Sequence, residues 1–114
     1  MNLKNKVFIV TGASSGIGKE IVNQLSLSGA KVVCASRTLS ELQNISNAIN
    51  SNGGSSIAVQ TDITVLEECE RMVKKTITKF GQIDGLVLNA GISMWAKFED
   101  ITSLDFFSTI MNTN

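Results

Sequence analysis

The sequence predicts an α/β fold on a parallel, doubly wound sheet, incomplete at about four strands and ending within a helix. Three observations carry that prediction. Four short apolar runs alternate with amphipathic helical patterns. None of the runs shows the polar/apolar alternation of a strand with one wet face, so both faces of each are expected to be covered. The links between elements are short, and a β-α-β-α-β-α-β order with short links leads to parallel strands joined by right-handed crossovers.

The first run, Val7-Phe8-Ile9-Val10, enters a turn rich in Gly and Ser. Ile17, Ile21 and Leu25 mark the apolar face of the first helix, which Gly29 closes. Val32-Val33-Cys34-Ala35 is the second strand, and Thr38 is placed to cap a second helix marked by Leu42, Ile45 and Ile49. The polar segment from Asn50 to Ser56 is an ordinary helix-to-strand loop before the third strand, Ile57-Ala58-Val59. Leu66, Cys69, Met72, Val73, Ile77 and Phe80 mark the third helix. It opens on a capping-box pattern, Thr64-x-x-Glu67, and stops before Gly81. Leu86-Val87-Leu88 is the fourth strand. A loop from Asn89 to Ile101 then leads to a fourth helical pattern, with Thr102 as N-cap and Phe106, Phe107, Ile110 and Met111 on one face. No stop signal precedes Asn114, so this pattern reads as cut inside an element.

Composition narrows the function classes. A length of 114 residues bounds one domain, and 43% apolar content suffices for a buried core. Ten basic and ten acidic residues cancel, which gives no electrostatic reason to expect nucleic acid or an anionic membrane as partner. There is no His, Pro or Tyr. Without His, and with Cys34 and Cys69 far apart, neither a zinc site nor a disulfide framework is expected. The cluster Glu67, Glu68 and Glu70 complements a helix N-terminus rather than holding a metal, as Lys74, Lys75 and Lys79 complement its end. The apolar run Val7–Val10 is too short for a signal-peptide core or a membrane span. Free cysteines then point to a reducing cytoplasm.

The chemistry-bearing motif is Thr11-Gly12-Ala13-Ser14-Ser15-Gly16-Ile17-Gly18, between a buried strand and a helix. Glycines permit a sharp turn and let a pyrophosphate approach the helix N-terminus, where free N–H groups and the dipole favour negative charge. Ser14 and Ser15 add hydroxyl donors. Gly18-Lys19 looks superficially like the end of an NTPase phosphate loop, which needs a Gly five residues before that pair and Ser or Thr after it. Ala13 and Glu20 occupy those positions, so that reading fails twice.

Thr-Gly-x-x-x-Gly-x-Gly after the first strand, with Asn89-Ala90-Gly91 after the fourth, resembles the short-chain dehydrogenase/reductase family over essentially the whole chain. The resemblance implies a Rossmann-type sheet and makes residues 1–114 the N-terminal, dinucleotide-binding part of one larger domain. Asn89, Ala90 and Gly91 match the segment that helps wall the cofactor pocket; Leu88 stands where the family often has another Asn. At the end of the second strand an acidic residue would hydrogen-bond a ribose 2′-OH. Ser36-Arg37 stands there instead: the small Ser makes room for a 2′-phosphate and the guanidinium pairs with it. The arrangement is similar to that of family members that use NADP in preference to NAD. By the same resemblance Asp62 and Ile63 contact the adenine; Asp62 also reads as an ordinary turn residue before Thr64. Asn114, seven residues after Phe107, matches the family's catalytic-tetrad Asn, with Asn112 the rival position. Its family role is to hold, through backbone and a bound water, the proton relay to a catalytic Lys. Met94 and Trp95 could line a substrate pocket or pack against absent structure.

In the family a hydride passes between nicotinamide and a carbonyl or alcohol carbon, with Tyr-x-x-x-Lys as the acid/base motif. The chain has no Tyr, so by this reading it binds cofactor but cannot carry that step. The resemblance further implies a small carbonyl or alcohol substrate and a homo-oligomer for the complete protein. A naturally short, noncatalytic dinucleotide-binding or interaction module is the alternative; it would leave a strand edge and the Phe106/Phe107 face uncovered.

Overall fold

A computed structural model of the chain describes residues 2–89. The elements run β1 (Val7–Thr11), α1 (Gly16–Leu27), β2 (Lys31–Ser36), α2 (Leu39–Ser51), β3 (Ser55–Gln60), α3 (Leu66–Phe80) and β4 (Gly85–Val87). All strand pairs are parallel, in the order β3-β2-β1-β4. The chain builds outward from β1 through β2 to β3, then returns across the sheet to lay β4 on the other side of β1. This is the expected doubly wound, Rossmann-like sheet. The fourth helical pattern, with Thr102, Phe106, Phe107, Ile110 and Met111, lies outside the described residues.

Side-chain alternation along each strand explains why the apolar runs are continuous. Ile9, Val33, Ala35 and Val59 face one side and meet Cys69, Met72 and Val73 of α3, together with Ile83. Val10, Val32 and Cys34 face the other and meet Val22 of α1 and Leu42, Ile45 and Ile49 of α2. Register locks the middle: Ile9 pairs with Val33 on one side and Leu86 on the other. At the entrance to β4, Asp84 ties the two chain regions together. Its N–H donates to Val7 O at 2.8 Å, and its carboxylate accepts Val7 N–H at 2.7 Å. Among the described residues no helix is long and apolar enough to cross a membrane.

Two local expectations are corrected. Ile17 is 71% exposed and Leu66 is 41% exposed, so neither belongs to the core although helical spacing includes both. Each stands in the first turn of its helix, ahead of the stretch that lies on the sheet. The capping box at Thr64 does not form, and the N-cap of α3 is Val65, with no side-chain cap. Asp62 instead takes the Thr64 hydroxyl at 2.6 Å and the Thr64 N–H at 2.9 Å, while Glu68, not Glu67, reaches back to Asp62 N–H at 2.9 Å. Thr38 is the N-cap of α2, but its hydroxyl makes no cap hydrogen bond.

Cys34 and Cys69 are fully buried free thiols. Burial raises both above the ordinary value, Cys69 to about 11, with Asp62, Glu68 and Glu70 adding to the effect. For Cys34 a hydrogen bond with Ser56 partly opposes burial. A raised thiol pKa means that the folded state keeps a proton the unfolded state releases. Stability from Cys69 is therefore complete below about pH 9 and lost as pH rises towards about 11. Iodoacetamide at pH 8 is expected to label neither thiol in the folded protein and both in urea, as read by mass spectrometry; rapid labelling of the folded chain would contradict the burial.

Candidate functional site

Ligands of open α/β sheets bind beyond the carboxyl ends of the strands, at the point where strand order reverses. Here that point lies between β1 and β4. β1 runs through Thr11 into Gly12, whose φ of +63° suits glycine, and a Cβ there would stand 2.5 Å from Asn89 O. At Gly18 a Cβ would overlap Gly12 O and come within 2.7 Å of Asn89 Nδ2. Gly16 differs, because a Cβ there would meet nothing within 4 Å. Gly12 and Gly18 thus close the turn onto β4, while Gly16 leaves open space at the start of α1.

Asn89 holds this turn. Its Nδ2 donates to Ser15 Oγ at 3.0 Å and to Gly12 O at 3.3 Å. Its N–H donates to Thr11 Oγ1 at 3.2 Å, and that hydroxyl donates in turn to Val87 O at 3.2 Å. Ser15 is the N-cap of α1: its hydroxyl accepts Gly18 N–H at 3.3 Å and donates to Gly12 O at 2.8 Å. Ser14 Oγ donates to Ser36 Oγ at 3.0 Å. Both serine hydroxyls thus have partners within the protein and shape the loop. The first N–H groups of a helix have no intrahelical partner, so the N-terminus of α1 keeps its anion-binding character.

Beside this turn is a cleft of about 350 Å³. That is near the lower end of the roughly 300–1,000 Å³ range of ligand pockets, a size suited to one half of a dinucleotide. Gly12, Ser14, Ser36, Arg37, Asp62 and Ile63, all singled out in the sequence, line it together. Thr38, Thr61 and Thr64 complete the lining. Thr38 and Thr64 carry only helix-cap signals in the sequence, and Thr61, whose buried hydroxyl donates to Val59 O at 3.0 Å, carries none. Arg37 is exposed, and among the described residues its guanidinium pairs with no carboxylate. A larger open depression of about 860 Å³, reaching Lys4, Gly29 and Gly53, lies at the amino ends of the strands and contains none of these residues.

Ile17 and Gly18 follow Gly16 in the first turn of α1, and the exposure of Ile17 leaves an apolar surface there. Ala90, Gly91, Met94, Trp95, Asn112 and Asn114 lie outside the described residues. Of the Asn89-Ala90-Gly91 motif, Asn89 alone is placed, and it braces the glycine turn.

Comparison with known proteins matches residues 6–114 to the short chain dehydrogenase family. An uncharacterized oxidoreductase of Listeria monocytogenes is 45% identical over 92 residues, covering 81% of this chain and 37% of the relative. A metagenomic short-chain oxidoreductase solved in complex with NADP superposes with a TM-score of 0.72 at 31% identity, covering 78% of this chain and 40% of that one. A 3-ketoacyl-(acyl-carrier-protein) reductase from Brucella melitensis, solved with NADH, gives 0.73 at 35% identity, covering 80% and 36%. The chain thus spans between 36% and 40% of the length of these proteins. With the glycine turn at the strand-order reversal and the family match across nearly all its residues, the chain belongs to the short-chain dehydrogenase/reductase family of oxidoreductases.

Proposed function

We propose that the chain is the N-terminal, dinucleotide-binding part of an NADP(H)-dependent oxidoreductase acting on a small carbonyl or alcohol substrate. One observation carries the cofactor choice. The wall of the cleft at the end of β2 is Ser36-Arg37, a small hydroxyl and a cation, where a carboxylate would favour the unphosphorylated ribose. In this reading Arg37 and Ser36 hold the 2′-phosphate, and Asp62 and Ile63 hold the adenine. Gly12, Gly16, Ile17 and Gly18 admit the pyrophosphate to the start of α1, with Ser14 and Ser15 shaping that loop. Asn89, Ala90 and Gly91 form the adjoining wall.

The residues present fit such a group: Gly12 and Ser14 of the glycine turn line the cleft, and a Cβ at Gly16, at the helix N-terminus that would take the phosphates, would meet nothing within 4 Å. When bound, the nicotinamide supplies or accepts the hydride. The chain's own part is to bind and orient the cofactor, and in this reading Asn114 positions the proton relay. The 114 residues contain no Tyr, so the acid/base step belongs to residues outside them, and the chain alone is inactive. A homo-oligomer, implied by the family resemblance alone, belongs to the same reading, as does a cytoplasmic setting without nucleic-acid or membrane partners, which the free cysteines and balanced charge support.

Isothermal titration calorimetry of the intact protein tests this. NADP+ is expected to bind at least about tenfold more tightly than NAD+, the discrimination of one charge-assisted contact. Adenosine 2′,5′-bisphosphate is expected to compete with NADP+. Equal affinities for the two dinucleotides would overturn the cofactor assignment.

A further inference from the structure

The two walls of the cleft are held from behind by side chains that do not line it. Glu68 of α3 accepts Asp62 N–H on Oε1 at 2.9 Å. Gln60, the last residue of β3, donates from Nε2 to Arg37 O at 3.1 Å. Arg71, about one turn further along α3, joins the two: Nη2 donates to Gln60 O at 3.1 Å and lies 3.9 Å from Glu68 Oε1. The first turns of α3 therefore reach both loops, one through Glu68 and the other through Arg71 and Gln60.

The geometry points to Gln60 and Glu68 as positioning residues that set the two walls of the cleft separately. Gln60 sets the Arg37 wall, and through it the response to a 2′-phosphate. Glu68 sets the Asp62 wall, and through it the hold on the adenosine shared by both dinucleotides. This inference rests on the reading of the cleft proposed above.

Planar, bidentate recognition of phosphate by a guanidinium tolerates little displacement, on the order of 0.5 Å. Arg37 is exposed and carries a long side chain with many rotamers, so the orientation of its peptide is what the fold can control. Thr61 N–H fixes Ser36 O at 2.8 Å, one residue before, and the Gln60 amide fixes Arg37 O itself. On the other wall the Asp62 carboxylate is turned onto Thr64, while Glu68 holds its backbone. The bonds of Gln60 and Arg71 are exposed and add little to global stability, so their removal acts on ligand selectivity more than on folding.

The test measures dissociation constants for NADP+ and NAD+ by calorimetry on the intact protein carrying Gln60→Met, Glu68→Ala or Glu68→Gln. Gln60→Met keeps the length of the side chain and removes the donor. It is expected to lower the preference for NADP+ by about three- to tenfold, through weaker NADP+ binding alone. Glu68→Ala is expected to weaken both dinucleotides by one common factor of about three- to tenfold, leaving the ratio unchanged. Glu68→Gln keeps an acceptor for Asp62 N–H and is expected to restore most of that loss. An unchanged ratio in Gln60→Met, or equal losses in Glu68→Ala and Glu68→Gln, would overturn the positioning roles. Arg37→Asp in the same series separates the two levels. If Arg37→Asp leaves the preference untouched, the reading of the cleft fails; if it shifts the preference and Gln60→Met does not, the positioning role of Gln60 alone fails.

Discussion

Gly18→Ala is expected to destabilise the fold by about 2–3 kcal/mol and to abolish dinucleotide binding, whereas Gly16→Ala is expected to fold normally and still lose binding. The two glycines stand two residues apart in one motif, yet their surroundings differ. A methyl at Gly18 would overlap the carbonyl oxygen of Gly12 and crowd Asn89 Nδ2. Gly12 O is backbone and cannot rotate aside, so the turn itself must move. That movement breaks the links from Asn89 to Gly12 and Ser15, which hold the loop against β4. At Gly16 nothing lies within 4 Å of the added carbon. Alanine there gains roughly 0.5–1 kcal/mol of helix propensity if the position counts as helix interior, and less at a first turn. The methyl instead occupies the space in front of the α1 N-terminus, where a pyrophosphate would approach. Urea unfolding and calorimetry separate the two outcomes. Gly16→Ala that bound NADP+ as well as wild type would show that the ligand does not approach by this route.

Arg37→Asp is expected to reverse the cofactor preference, with a total change in the NADP+/NAD+ ratio of about a hundredfold or more. Three contributions have the same sign. The guanidinium contact with a 2′-phosphate, worth roughly 1.5–3 kcal/mol, disappears. A carboxylate near that phosphate repels it, with an energy that screening at an exposed site reduces. The same carboxylate accepts a hydrogen bond from an unphosphorylated ribose. Two orders of magnitude correspond to about 2.8 kcal/mol, within reach of the first contribution alone. Because Arg37 is exposed, the wild-type preference is also expected to shrink as salt is raised. Binding measurements on the intact protein with each dinucleotide, at two ionic strengths, measure both effects. A ratio insensitive to the substitution would remove Arg37 from cofactor recognition.

Much of the fold was legible because burial on both faces leaves a plain mark. The runs around Ile9, Val33 and Val59 are apolar at consecutive positions, which a half-exposed strand would not be. The cleft was legible because Ser36 ends β2, Arg37 follows it, and Asp62 and Ile63 come two and three residues after β3; parallel strands deliver such residues to one edge. Helix starts were less legible. Thr64 and Glu67 satisfy the capping-box spacing, but Asp62, two residues upstream, is the stronger partner for the Thr64 hydroxyl. Helical spacing placed Ile17 in the core because periodicity records which residues share a face, not whether anything lies opposite it. The brace made by Asn89 was hidden for another reason. It joins residues 77 apart, and nothing near Gly12 in the sequence points to its partner.

That separation bears on how the protein is made. Residues 7 to 18 leave the ribosome well before the partners that hold them: the brace of their turn arrives only with Asn89, and the carboxylate that anchors Val7 with Asp84. Closing so long a loop carries an entropic penalty before any contact forms, so the phosphate turn is among the late features to be completed. A ligand that binds only the closed turn then acts as a clasp between the beginning of the chain and its fourth strand. By mass action, such a ligand adds to the stability of the closed form as its concentration rises.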